Sequence, residues 1–312
     1  MKTWHYALLV LLGGCSYGAL STFVKLAYSA GFTSAAVTGS QFLMGTLLIW
    51  IVALFSKKKK LTLPKIGKLL LSGIPLGLTS LFYYQSLQSL NASLAIIFLF
   101  QFVWIGSLFE WFFYKKKPTM GKVVSIAILV MGSILASGII AGGSGDMTWQ
   151  GNVWGMLSAL TYTTFIFLSG SVEKDTPVVQ KSALFTTGGM ITVFILNPPT
   201  ELLHLPVLME IAPYGFYLGL LGVVLPPILF TIGMPHVGPG LGTILTSAEL
   251  PNAVILSALV LTEQVSMSQW LGVVFILGGI IAGNLKISKT KMKSSYLKSN
   301  GFGFGVQNAK KQ

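Results

Sequence analysis

The sequence predicts an all-α integral membrane protein with ten transmembrane helices, arranged as two inverted repeats of five helices. Two observations favour this fold: ten apolar stretches of about bilayer-spanning length, and a similarity between the first five and the last five. The chain has 312 residues, of which 53% are hydrophobic and 9% are charged, and a mean hydropathy of +0.75. A soluble domain needs far more polar surface, so this composition excludes a soluble enzyme.

The ten stretches follow from the thickness of the bilayer. A hydrocarbon core of about 30 Å is crossed by about 20 apolar residues that rise 1.5 Å each along a helix. The seventh and tenth stretches are short. In chain order the stretches are His5 to Leu26, Ala35 to Phe55, Gly67 to Leu87, Ala92 to Tyr114, Val123 to Ala141, Gly151 to Ser169, Ser182 to Leu196, Tyr214 to Met234, Leu241 to Thr262 and Trp270 to Leu285.

The lysines predict the orientation. All 21 basic positions are lysine, and with a cytoplasmic N-terminus only Lys25 falls on the outer side. Short cytoplasmic loops carry an excess of basic residues, so we expect a multi-pass plasma-membrane protein with both termini in the cytoplasm. The net charge of +13 then reflects topology and contact with anionic lipid headgroups on the lysine-rich side. Nucleic-acid binding would require arginine and interleaved aromatic residues on a folded surface.

An internal repeat appears at an offset of about 145 residues. Ser16-Tyr17 aligns with Thr161-Tyr162, Gly73 with Gly219, and Gly132 with Gly279. The sequence therefore predicts a first repeat at 1–145, a second at 146–286, and a disordered lysine-rich cytoplasmic tail at 287–312. Because each repeat has five crossings, the halves are inverted, and an exchange of their shapes would open a central site to each side in turn.

A family resemblance rests on the end of the second repeat. Residues 247–263, SAELPNAVILSALVLTE, followed by Ser266, Gln269, Gly272 and Gly278-Gly279, resemble the EamA family of the drug/metabolite transporter superfamily. The resemblance covers His5 to Leu285 and implies a ten-helix permease that takes part in efflux of amino acids or other small metabolites. The first half departs from the signature, since Lys116 occupies the position that matches Glu263.

Polar groups at membrane depth are the candidates for substrate binding or coupling. Glu249 is the leading one, because a charged group at the bilayer centre costs a few kcal/mol unless it faces a cavity or a partner. Pro251 follows it closely and frees a backbone carbonyl. Such a carboxyl suits a proton carrier or a cation site, although a packing role is the alternative. The further candidates, any of which can instead serve in interhelical hydrogen bonds or an interface belt, are Tyr17, Tyr83, Tyr84, Gln85, Gln101, Trp104, Tyr162 and Asn252.

Several chemistries lack their residues in this chain. Cys15 is the single cysteine, which excludes disulfides and a thiolate metal site. The sequence has neither a P-loop nor a His-Glu-x-x-His motif, so we expect no cofactor, no metal and no catalytic residue.

Glu110 is expected to lie at the interface near Lys115, and Pro226-Pro227 to form a hinge or a static kink. A secondary-active transporter remains, with protons as a candidate coupling ion.

Three alternatives stay open. A nucleotide-sugar or organic-anion exchanger would need basic residues within its helices, and the ten stretches contain only Lys25 and Lys68, each at an edge. A polytopic lipid-modifying enzyme would need a convergent acid, base or metal, and a non-transporting sensor would need a soluble output domain. The favoured function is a secondary-active exporter of small metabolites, amino acids or amine-like compounds.

Overall fold

The computed structural model describes residues 3–89, 95, 98–136, 148–260 and 265–282. Within these ranges the chain forms apolar helices and no strand, and each of the ten predicted stretches includes helical residues. Seven helices are long and apolar enough to cross a membrane, while α4, α5 and α10 are shorter, so ten crossings stay a prediction. The helices are α1 (Thr3–Ser29), α2 (Ser34–Leu54), α3 (Leu63–Ser89), α4 (Phe98–Tyr114), α5 (Met120–Ala136), α6 (Trp149–Ser171), α7 (Val178–Leu196), α8 (Leu205–Val237), α9 (Pro239–Val260) and α10 (Met267–Ala282).

The two halves pack in a pattern that is nearly unchanged when they are exchanged. α3 packs on α7 and α6, and its repeat counterpart α8 packs on α2 and α1. Helix α1 contacts α9, and their repeat counterparts, α6 and α4, also contact each other. Helix α2 contacts its own counterpart, α7. This pairing is what a pseudo-two-fold axis between the halves produces.

Helices α2 and α7 show the inversion directly. The Lys59 backbone N–H donates to Gln180 Oε1 at 3.0 Å, and Trp50 Nε1 donates to Thr187 Oγ1 at 2.9 Å. A Cβ on Gly189 would lie 2.9 Å from the Phe42 ring. Residue numbers fall along one helix as they rise along the other, so these counterparts run antiparallel.

Glycines allow the halves to touch at the backbone. A Cβ on Gly77 in α3 would lie 2.5 Å from the carbonyl oxygen of Gly189 in α7. At the equivalent interface of the other half, a Cβ on Gly219 in α8 would lie 2.5 Å from the backbone nitrogen of Gly45 in α2. The helices could not approach this closely with larger residues, so these glycine motifs pack within the chain.

The lysine-rich loops lie together at one end of the bundle. Lys65 Nζ is 3.3 Å and Lys68 Nζ is 3.5 Å from the carboxylate of Glu173, in the loop between α6 and α7. Partial desolvation raises the pKa of Glu173, but the hydrogen bonds and charges of Lys65 and Lys68 together outweigh it, so the pKa lies below its usual value. At the opposite end, Thr33 Oγ1 donates to the Glu201 carboxylate at 2.9 Å. Residues 287–312 and Glu263 lie outside the described residues.

Candidate functional site

Helix α9 is interrupted near its middle, and Glu249 lies at the interruption. The first helical segment is Pro239–Thr246, and the second, Glu249–Val260, begins with Glu249 itself. Pro251 has no N–H to donate to the Ser247 carbonyl, which accepts instead from Leu250 N at 3.3 Å. A broken helix at membrane depth exposes backbone polar groups toward a binding site, as in many transporters.

A tyrosine from each half faces this carboxyl. Tyr162 OH in α6 donates to Glu249 Oε2 at 3.3 Å. The Tyr17 ring in α1 meets the Tyr162 ring edge-on, with centroids 5.5 Å apart. The Tyr17 hydroxyl is buried and has no hydrogen-bond partner in the structure. Because Tyr17 and Tyr162 are repeat counterparts, their contact marks a point near the pseudo-two-fold axis.

Close packing of α1 on α9 fixes this arrangement. Asn252 Nδ2 donates to the Cys15 carbonyl at 2.7 Å. A Cβ on Gly18 would lie 3.0 Å from the Asn252 Cβ. The structure therefore brings together four of the candidate residues on α1, α6 and α9: Tyr17, Tyr162, Glu249 and Asn252.

Tyr84 and Gln85 lie elsewhere, so the predicted single cluster is divided, while Tyr83 lies within range of the Glu249 charge and packs against the same core cluster as Tyr162. Tyr84 OH donates to Gln41 Oε1 at 3.3 Å, within a smaller core cluster that also contains Leu202. The Tyr83 ring lies 6.1 Å from the Tyr84 ring, and Gln85 is exposed on α3. Consecutive residues of a helix point about 100° apart, so these three cannot all face one site.

Gln101 and Trp104 are hydrogen-bonded to each other. Trp104 Nε1 donates to Gln101 Oε1 at 2.7 Å, and Trp104 lines a groove between α4 and α6. Gln41, which holds Tyr84, was not among the candidates, because nothing in the pattern around it distinguishes a buried amide from an interfacial one.

A π-helical turn in α8 was not predicted from the sequence. It spans Leu220–Val224, and Leu225 N donates to Leu220 O. In this register the Leu221 carbonyl would need a donor from Pro226, which has none. Ser16 Oγ supplies it at 2.7 Å. The irregular turn of one half is therefore completed by a hydroxyl from the other half, beside Tyr17.

Lys181 is a buried basic residue within a helix. It belongs to α7, is fully buried, and donates from Nζ to the Ser169 carbonyl at 2.8 Å, with the Phe185 ring at 5.4 Å. The ammonium lies at the C-terminal end of α6, where the helix dipole favours a cation. Lys65 and Lys122 also lie within α3 and α5, so the expectation that the helices contain no basic residue beyond Lys25 and Lys68 is wrong.

Glu110, expected at the interface near Lys115, pairs with a lysine of the next helix. Its carboxylate forms an ion pair with Lys122 Nζ, and both side chains are largely buried. Lys115 instead points toward the Phe112 ring, since the backbone at Lys115 turns with φ of 54°. The Glu110 carboxylate also packs against Gly240 at the start of α9, so this ion pair joins α4, α5 and α9.

A comparison with known families identifies the chain. A model of the EamA-like transporter family matches residues 4–138 and again residues 149–284. The chain belongs to the EamA-like transporter family. Two tandem matches agree with the repeat at an offset of about 145 residues.

Similar structures support the fold of this EamA-like transporter. One solved crystal structure has a TM-score of 0.73 with 17% sequence identity, and the match covers 90% of this chain and 98% of the other. At that identity the similarity concerns the fold alone. Among curated proteins, none has a sequence that matches this chain.

The family signature has a structural explanation at the start of α10. Ser266 N donates to Gln269 Oε1 at 2.9 Å, and Gln269 N donates to Ser266 Oγ at 3.4 Å. This reciprocal pair is a capping box, which satisfies backbone donors at a helix start.

Within the described part of the chain, no three His, Cys, Asp or Glu side chains lie close enough to hold a metal ion.

Proposed function

We propose that this EamA-like transporter is a secondary-active exporter of small metabolites, amino acids or amine-like compounds, and that it works by alternating access across the plasma membrane. The family assignment supports transport, and the antiparallel packing of counterpart helices supports an exchange of shape between two halves. Protons are the proposed coupling ion.

The observation that carries the proposal is the contact of Glu249 with Tyr162 at the break in α9, with the unpartnered Tyr17 hydroxyl beside it. A carboxylate and two aromatic rings form a suitable environment for an ammonium group, by charge and by cation–π attraction. The Tyr17 hydroxyl is available to a second polar group of the substrate. A proton and an ammonium would compete for the same carboxylate, which provides a physical basis for exchanging one for the other.

The pseudo-symmetric interfaces provide a route for the movement. Glycine contacts between α3 and α7, and between α8 and α2, have little side-chain interlocking to resist a small sliding movement. The π-helical turn of α8 lies beside Ser16, one residue from Tyr17. A shift of α8 against α1 would therefore be transmitted to the tyrosine that faces Glu249.

Counterflow in proteoliposomes tests the proposal. Vesicles loaded with unlabelled compound would be exposed in turn to a panel of labelled amino acids and amines. We expect the wild type to move at least one compound and Glu249→Gln to move it about 10-fold more slowly or worse, since a lost charged hydrogen bond is worth about 1.5–3 kcal/mol. Tyr162→Phe should show a smaller loss.

Glu210→Gln is the matched control, because Glu210 is an exposed carboxylate near the start of α8. It should transport at the wild-type rate. Movement of no compound would favour the sensor, and wild-type rates for Glu249→Gln across the pH range would remove Glu249 from the mechanism.

A further inference from the structure

The Glu110–Lys122 ion pair lies at the lysine-rich end of the bundle, where α4 ends and α5 begins. Each of the two side chains is only 14% exposed. Two charges that are taken out of water need each other, because removing one partner leaves the other buried and unpaired. The ion pair therefore stabilises the arrangement of helices in which it forms.

The ion pair also touches the second half of the chain. Glu110 and Lys122 belong to the first half, and both pack against Gly240, the second residue of α9. A Cβ on Gly240 would lie 2.8 Å from Lys122 Nζ and would overlap the Glu110 carboxylate. The first N–H groups of a helix have no acceptor within it, and the positive end of the helix dipole attracts a carboxylate. The start of α9 therefore attracts the Glu110 carboxylate across the boundary between the halves.

The contact between α4 and α9 continues from the ion pair toward Glu249. A Cβ on Gly106 would lie 2.6 Å from Thr243 Oγ1, and this hydroxyl donates to the Val103 carbonyl at 3.3 Å. All eight residues of Pro239–Thr246 are buried, and the break at Glu249 follows this segment. Helix α4 therefore covers the first segment of α9 between the lysine-rich end and the break.

The equivalent positions at the other end of the bundle carry no charge. The offset that aligns Gly132 with Gly279 places Ser257 at the position of Glu110 and Gln269 at that of Lys122. Gln269 bonds instead to Ser266, in the capping box of α10. The ion pair therefore stabilises contact between the halves at one end only, which makes the two ends of the pseudo-symmetric bundle unequal.

We propose that the Glu110–Lys122 pair is a latch that holds α4 against the start of α9 and keeps the resting transporter closed to the cytoplasm. This inference rests on the alternating access of the proposed function. Opening at the lysine-rich end requires α4 to separate from α9, and this movement takes the Glu110 carboxylate away from the positive end of the helix. Loss of either charge therefore raises the fraction of molecules that are open to the cytoplasm.

The accessibility of a cysteine behind the latch tests this proposal in inside-out vesicles, whose outer surface is the cytoplasmic one. Thr243→Cys, in a Cys15→Ser background, places the thiol at a fully buried position one helical turn beyond Gly240. We expect a membrane-impermeant maleimide to label this parent slowly, and to label Glu110→Gln and Lys122→Met at least about 10-fold faster. A tenfold shift corresponds to about 1.4 kcal/mol, the lower end of what a hydrogen bond to a charged group contributes.

Lys115→Met is the matched control for Lys122→Met, because it also removes a lysine charge at this end, and its ammonium lies over the Phe112 ring. It should label at the parent rate. Ser182→Cys, in place of Thr243→Cys, reports on unfolding, because Ser182 is fully buried and its hydroxyl donates to Thr231 Oγ1 at 3.4 Å within the second half. This cysteine should stay unreactive in every variant.

The latch is overturned if either Glu110→Gln or Lys122→Met labels at the parent rate, if Lys115→Met labels as fast as Lys122→Met, or if Ser182→Cys also reacts in both variants. The labelling needs no substrate, so a failure of the latch leaves the counterflow result standing. Counterflow that fails while the latch opens as expected contradicts the transport proposal instead.

Discussion

Replacement of Gly73 or Gly219 by alanine tests the symmetric contact between the halves. A Cβ on Gly73 would lie 2.8 Å from the Phe185 carbonyl carbon, and one on Gly219 would lie 2.8 Å from the Gly45 Cα. Both obstacles are backbone atoms, so a helix must move to relieve the clash. Overpacking costs about 1–3 kcal/mol, and the better helix propensity of alanine returns up to about 1 kcal/mol. We expect each variant to lose roughly 1–2 kcal/mol.

Thermal unfolding in detergent measures this loss. A change of 1 kcal/mol shifts Tm by roughly 2–4 °C in proteins somewhat smaller than this one, so each variant should unfold a few degrees below the wild type. Gly278→Ala is the control, because nothing lies within 4 Å of a Cβ at that position, and its Tm should be unchanged or raised. If Gly73→Ala or Gly219→Ala unfolds at the wild-type temperature, the reasoning from backbone contact is refuted.

Two further predictions concern charged groups. Because the pKa of Glu173 is lowered in the folded protein, its ion pairs stabilise the fold above the ordinary carboxyl pKa of about 4.3 and are lost as the pH falls below it. Glu173→Gln should reduce the acid dependence of Tm between pH 6 and about 3, and an unchanged profile would contradict the role of Lys65 and Lys68. Lys181→Met removes a buried charge and should leave Tm equal or higher, whereas a fall of about 5 °C or more would show that its bond to Ser169 is essential.

The features that depend on local pattern were predictable from the sequence. Apolar runs locate the helices of the described residues, because helix formation satisfies the backbone wherever a run of side chains is apolar. Gly73 and Gly219 occupy equivalent interfaces, as their alignment predicts. The break beside Glu249 follows from Pro251, whose missing N–H affects only its own helix.

The features that depend on a distant partner were not predictable. The π-helical turn in α8 is completed by Ser16 from the other half, and no local pattern announces that hydrogen bond. The seventh predicted stretch begins at Ser182, yet α7 includes Lys181, because the end of α6 supplies a carbonyl to the ammonium. For the same reason the distance of Gln85 from Glu249 along the sequence said nothing about their separation in space.

Side-specific labelling of introduced cysteines tests the inverted arrangement most directly. Cys15 is the single cysteine, so Cys15→Ser gives a suitable background. Lys60 lies between α2 and α3, and Leu203, 85% exposed, lies in the equivalent connection between α7 and α8. With a membrane-impermeant maleimide, Lys60→Cys should react only from the cytoplasmic side and Leu203→Cys only from the outside. Reaction of both from the same side would contradict the inverted repeats.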